Sequence, residues 1–133
     1  MKALTRRTVM LGLPASFFLA PKQALAAGNR LGLIFVAQST CPYCRTIAPV
    51  LMQVRDAEVA DVMVASMDRR SIAPFVDFED GTRHPLTSRF QSVPQVLIYN
   101  PKLDRVTHVV GGARNPRRYV LRLSHALRQS AAM

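Results

Sequence analysis

Cysteine is nearly absent from this chain: Cys41 and Cys44 are the only two in 133 residues. Two thiols cannot build a framework of several disulfides, and they supply only half of a four-ligand structural zinc site. Histidine does not complete such a site, because His84, His108 and His125 show no paired ligand spacing. No metal is expected. A long hydrophobic run is missing too. The N-terminal apolar stretch TVMLGLPASFFLA is too short to span a bilayer comfortably and contains Pro14. Acids are scarce, eight against 18 basic residues, and no internal repeat or low-complexity tract occurs. With 49% hydrophobic content, what remains fits one compact domain.

The first residues read as a targeting segment. MKALTRR carries Lys2, Arg6 and Arg7 without an acid, the apolar stretch follows, and ALAA at 24–27 has the small residues a signal peptidase reads. This predicts a signal peptide over 1–27, cut after Ala26 or Ala27. A 28–133 domain would then be exported to a bacterial periplasm with no stable membrane insertion. Arg6-Arg7 is similar to a twin-arginine export signal, although no Phe-Leu-Lys follows; Sec and twin-arginine export both stay open. Four basic residues and no acid fall within 1–27, so 28–133 holds 14 basic and eight acidic residues, net +6. Such a surface suits acidic proteins, anionic lipid or plain water. No basic stripe with interleaved aromatics appears, so nucleic acid is not an expected partner. Nothing calls for more than a monomer.

RLGLIFVAQ (30–38) is a short apolar, β-branched run and predicts a buried strand. Ile47, Val50, Leu51 and Val54 recur at helical spacing, which predicts a helix over 42–57 with Pro42 in its first turn and a kink at Pro49. DVMVASMD (61–68) is a second strand. Residues 69–92 are irregular, with a turn at Asp80-Gly81 and a short helix near 86–91. PQVLIY (94–99) and DRVTHVVG (104–111) are joined by so short a link that they predict an antiparallel hairpin. Asn115-Pro116 is a helix-start signal, and Val120, Leu123 and Leu127 form that helix's apolar face. The order predicts an α/β fold with a mixed central sheet.

A disulfide between Cys41 and Cys44 would close too short a loop to stabilise the fold much. A redox pair uses every local feature. Cys41 stands at a helix N-terminus, where free N–H groups and the macrodipole favour an anion, and the thiolate is the attacking species. Cys44, one turn on, can resolve a mixed disulfide without any cofactor.

CPYCRTIAPVL, SVPQVLIY and VVGG before a terminal helix occur in that order across about 30–129. Together they resemble the thioredoxin superfamily. The resemblance implies a three-layer sandwich with helices flanking the sheet, and Pro94 as the family's cis-proline beside Cys41. Val93 would then expose its backbone to a substrate strand, and Pro42 and Tyr43 would complete the substrate contact. It implies Cys41 as nucleophile and Cys44 as resolving thiol. Two departures stand out. The buried acid that in thioredoxins moves the second thiol's proton falls at Phe35, and the tryptophan before the first cysteine is Thr40. His84 is a candidate for that proton step, or a surface histidine. Segment 69–92 is longer than the thioredoxin counterpart and weakly resembles an insertion in thioredoxins of sulfur-oxidation systems. Its Phe75, Phe78 and Phe90 either cover the core or meet a partner.

These readings converge on an exported thiol-disulfide oxidoreductase that reduces a specific periplasmic protein, re-reduced by a membrane redox donor. The alternatives are an oxidase or isomerase, and a binding module whose cysteines are incidental.

Overall fold

The computed structural model describes residues 30–133. The predicted signal peptide over 1–27, with its twin-arginine pair, lies outside the described residues. Seven elements follow in order: β1 (Leu31–Ala37), α1 (Pro42–Asp56), β2 (Ala60–Ser66), β3 (Glu79–Asp80), β4 (Gln95–Asn100), β5 (Arg105–Gly111) and α2 (Pro116–Ala131). The strands form one sheet in the order β3-β2-β1-β4-β5.

β1 is the central strand, and its composition explains why. Leu33, Phe35 and Ala37 point to one face of the sheet, Ile34 and Val36 to the other, and all five are buried. A run apolar on both faces can only sit inside a sheet covered on both sides. α1 carries the chain from β1 to the parallel strand β2, with Phe35 opposite Val64. β4 pairs antiparallel to β1, with Val36 opposite Gln95, and β5 pairs antiparallel to β4.

Both helices pack on the same face. Cys44, Ile47 and Leu51 of α1 and Tyr119, Leu123 and Ala126 of α2 join Leu33, Phe35, Val96 and Ile98 in one core cluster. A large apolar side chain buried there contributes about 1.5–3 kcal/mol. The apolar face of α2 is turned by one residue from the predicted one. Leu123 is buried, but Tyr119 and Ala126 take the places expected of Val120 and Leu127, which are only half-buried. Tyr119 can go inside because its hydroxyl donates to the Val110 carbonyl at 3.1 Å.

The opposite face holds a smaller cluster, Ile34, Val36, Ala65 and Leu97, covered by Leu86, Phe90 and Val93. Residues 85–89 are a chain of turns, so the predicted helix near 86–91 does not form. Pro85 and two hydroxyl residues, Thr87 and Ser88, favour turns there, and Thr87 spends its hydroxyl on the Gly81 carbonyl at 2.7 Å. The segment instead supplies a strand that the pattern did not predict, β3, parallel to the end of β2. Gly81 permits this approach: a Cβ there would lie 2.6 Å from Met67 Sδ and 3.1 Å from the Ala65 carbonyl carbon. The three phenylalanines divide. Phe75 is buried against Phe35 with ring centroids 6.4 Å apart, Phe90 is half-buried, and Phe78 is exposed.

Asn115 caps α2 by accepting from the Arg118 N–H, and Pro116 is its first residue. Asn115→Ala is expected to cost about 1 kcal/mol, read as a lower urea midpoint at unchanged slope.

Candidate functional site

Four strand ends meet at one end of the sheet. Ala37 pairs with Ser66, so β1 and β2 finish level, and the loop 38–41 leaves β1 at that point. One step beyond the Val36–Gln95 pair places Pro94 opposite Ala37, at the mouth of this loop. Gly111 pairs with Gln95, which brings the end of β5 alongside. The Val93–Pro94 peptide bond is cis, as is Ala73–Pro74.

Cys41 is the N-cap of α1. Its backbone is extended (φ −83°, ψ 116°), and its sulfur accepts a hydrogen bond from the Cys44 N–H at 3.3 Å. Proline at the next position costs no hydrogen bond, since that N–H would have no helical acceptor. The first turn of α1 contains no acid and does contain Arg45. Cys41 is half-buried and Cys44 is fully buried; both carry free thiols. Burial, with the contact to Cys41 next, pushes the Cys44 thiol up to about 12. The two sulfurs are thus differentiated by position, one at the surface on a helix cap and one beneath it.

Val93 and Cys41 pack against the same core cluster, while Pro94 is buried and Pro42 and Tyr43 are exposed, Tyr43 by 45%. The structure therefore gathers Cys41, Cys44, Val93 and Pro94 at one end of the sheet, with Pro42 and Tyr43 on the outer turn. His84 is elsewhere. It lines a cavity with Gly32, Met63 and Tyr99 near the start of β1, and its Nδ1 accepts from the Leu86 N–H at 3.1 Å. It does not figure among the groups acting on Cys44, which corrects its candidacy for the proton step. Phe35 is fully buried in the core, so no acid enters from β1.

The acid at this site is Asp68, which the sequence pattern did not single out. Its Oδ2 accepts from the Ser39 N–H at 3.1 Å and from the Ser39 hydroxyl at 2.5 Å; its Oδ1 lies 2.9 Å from the Ser66 hydroxyl. Partial burial opposes the charge, but these hydrogen bonds outweigh it and hold the carboxyl below the ordinary aspartate value. Asp68 thereby ties the loop before Cys41 to the end of β2, and its charge adds to the upward shift of Cys44. A faint signal is present: an acid two residues beyond the end of β2, with serines two residues before it and two before Cys41. Among the described residues, no group of three or more His, Cys, Asp or Glu side chains could hold a metal ion.

Comparison with known proteins agrees with this fold. The family model described as "TraF: F plasmid transfer operon protein" matches residues 22–114. Among solved structures, a thioredoxin pre-protein from Schistosoma mansoni superposes with a TM-score of 0.55 at 14% identity, over 83% of this chain and 88% of that one. Thioredoxin f from spinach chloroplast also gives a TM-score of 0.55, at 17% identity and 85% of each chain. At these identities the likeness establishes a thioredoxin-like α/β fold. No curated protein matches the chain.

Proposed function

The chain belongs to the TraF family, a family with a thioredoxin-like fold, and on that premise we propose that it is an exported thiol-disulfide oxidoreductase that reduces disulfides of a specific periplasmic protein. The observation that carries the reading is the Cys41 sulfur on the cap of α1, accepting from the Cys44 N–H at 3.3 Å above the buried Cys44 thiol. A nucleophile and a resolving group are thus one helical turn apart and unequally exposed.

The exchange proceeds in two displacements. The Cys41 thiolate attacks one sulfur of the partner's disulfide; that S–S bond breaks, and the other partner sulfur leaves as a thiolate that takes up a proton. Cys44 then loses its proton and attacks the Cys41 sulfur, forming the Cys41–Cys44 disulfide and releasing the second partner thiolate. Two electrons pass from the cysteine pair to the partner, and no cofactor takes part. Val93, with Pro94 behind it, offers the backbone edge against which the partner strand lies, and Pro42 and Tyr43 border it. A membrane redox donor restores the dithiol. Residues 1–27 act as a cleaved signal peptide, leaving a periplasmic monomer.

Equilibration of the protein with defined thiol/disulfide ratios tests the direction. A potential near or below about −230 mV is expected, as for dithiols that donate electrons. A value near about −120 mV belongs to strong oxidants and would reverse the assigned direction.

A further inference from the structure

Charge is segregated along this chain. All eight acids lie between Asp56 and Asp104, whereas residues 105–133 carry six arginines and no acid. β5 and α2 are built wholly from that last stretch, pack on each other, and occupy one edge of the sheet. These two elements together carry five arginines, Arg105, Arg117, Arg118, Arg122 and Arg128, and no acid. Among the described residues, the ion pairs engage Arg30, Arg55, Arg69 and Arg83, and none of the six arginines beyond Asp104. An apolar concavity of about 400 Å³ opens on the same side, lined by Pro116, Arg117, Val120 and Leu121, with Leu121 68% exposed.

The start of α2 adds an independent observation. A helix N-terminus favours acids and disfavours cations. α2 has no acid in its first turn and places Arg117 and Arg118 there instead, both exposed. The chain forgoes helix stability to keep positive charge at that point. The point also borders the thiol pair. Gly111 pairs with Gln95 beside Pro94, Arg122 donates to the Gly112 carbonyl at 2.7 Å, and Tyr119 lies in the core cluster that holds Cys44.

We propose that the β5–α2 face is the docking surface for the substrate protein, and that it receives an acidic segment flanking the target disulfide, with an apolar side chain seated beside Leu121. This rests on the thiol-disulfide reading given above. Exposed charges act mainly through the encounter rate, which they raise and which salt suppresses. An anionic lipid surface has the same charge, but the adjacency of this face to Cys41 serves a polypeptide that must present a disulfide there.

The test uses two synthetic peptides with the same intrachain disulfide, one flanked by glutamates and a leucine, the other by lysines and a leucine. The reduced protein is expected to reduce the glutamate peptide about tenfold faster at low salt, the preference shrinking as ionic strength rises. The double variant R117E/R118E is expected to invert that preference, and the milder R117Q/R118Q to bring it near unity. Glutamate in the first turn suits the helix, so the reversal should not impair folding. Equal rates on the two peptides, or a preference that survives in both variants, overturns the docking surface. So does selective loss of binding to phosphatidylglycerol vesicles with the peptide preference intact, because the face then serves lipid. Failure of the wild type to reduce either peptide overturns the thiol-disulfide reading itself.

Discussion

Cys41→Ser is expected to abolish disulfide reduction, lowering the rate by roughly 10³-fold or more, as happens when a covalent nucleophile is removed. The substitution is informative because it separates chemistry from structure. Serine is among the best N-cap residues and can accept the Cys44 N–H as the cysteine sulfur does, so α1 should remain capped and the thermal midpoint nearly unchanged. Cys44→Ser has a different signature. Cys41 still attacks, but nothing resolves the adduct, so the partner remains attached through a mixed disulfide that appears as a mass increase and disappears on adding dithiothreitol. Because burial raises the Cys44 thiol, release of the partner is expected to quicken as pH rises, a dependence that stopped-flow traces across the alkaline range would read. A Cys41→Ser protein that keeps its role in the cell would sink the enzymatic reading in favour of a binding module.

Asp68→Ala should produce the largest loss of stability among polar substitutions at this end of the sheet. It strips the part-buried Ser39 N–H and hydroxyl of their acceptor, while the Ser66 hydroxyl keeps the Arg70 carbonyl at 2.7 Å. Leaving such groups unpaired costs about 2–4 kcal/mol, readable in a urea titration. Its pH dependence has a definite sign. The folded-state carboxyl lies below its unfolded value, so its stabilisation is complete above the ordinary aspartate range, about 3.9, and fades as pH falls through the lower folded value. Asp68→Asn should remove that slope from the acid limb. It should also let Cys44 ionise at lower pH, because one source of its upward shift is gone. Identical urea midpoints at pH 7 for wild type and Asp68→Ala would show that the loop before Cys41 needs no such anchor.

Much of the architecture was legible because its signals are local. The apolar run of β1, the short link between β4 and β5, the Asn115-Pro116 start of α2 and the Cys41–Cys44 spacing each declare themselves within a few residues. What escaped depends on distant partners. β3 is two residues long and exists only because Gly81 lets it approach β2. Asp68 reads locally as a surface acid; its partner Ser39 is 29 positions away. The buried face of α2 differs from the predicted one because hydropathy ranks Val120 above Tyr119 and Ser130. Both polar tips are satisfied inside, Tyr119 by Val110 and the Ser130 hydroxyl by Thr107 at 2.8 Å.

The uneven dressing of the sheet has a consequence for how the molecule breathes. On one face two long helices lock the core through many interdigitated side chains. On the other, the stretch from Thr82 to Phe90 holds itself by backbone bonds reaching three or four positions, such as Thr87 and Ser88 to His84, and by the inserted side chains Leu86 and Phe90. Releasing it would forfeit fewer buried contacts than opening the helices, so the amides of 82–90 are expected to exchange with deuterium before those of the strands and helices. Gln91 and Ser92 link this stretch to Val93, so such an opening would loosen the edge proposed for the substrate and leave the capped sulfur of Cys41 in place.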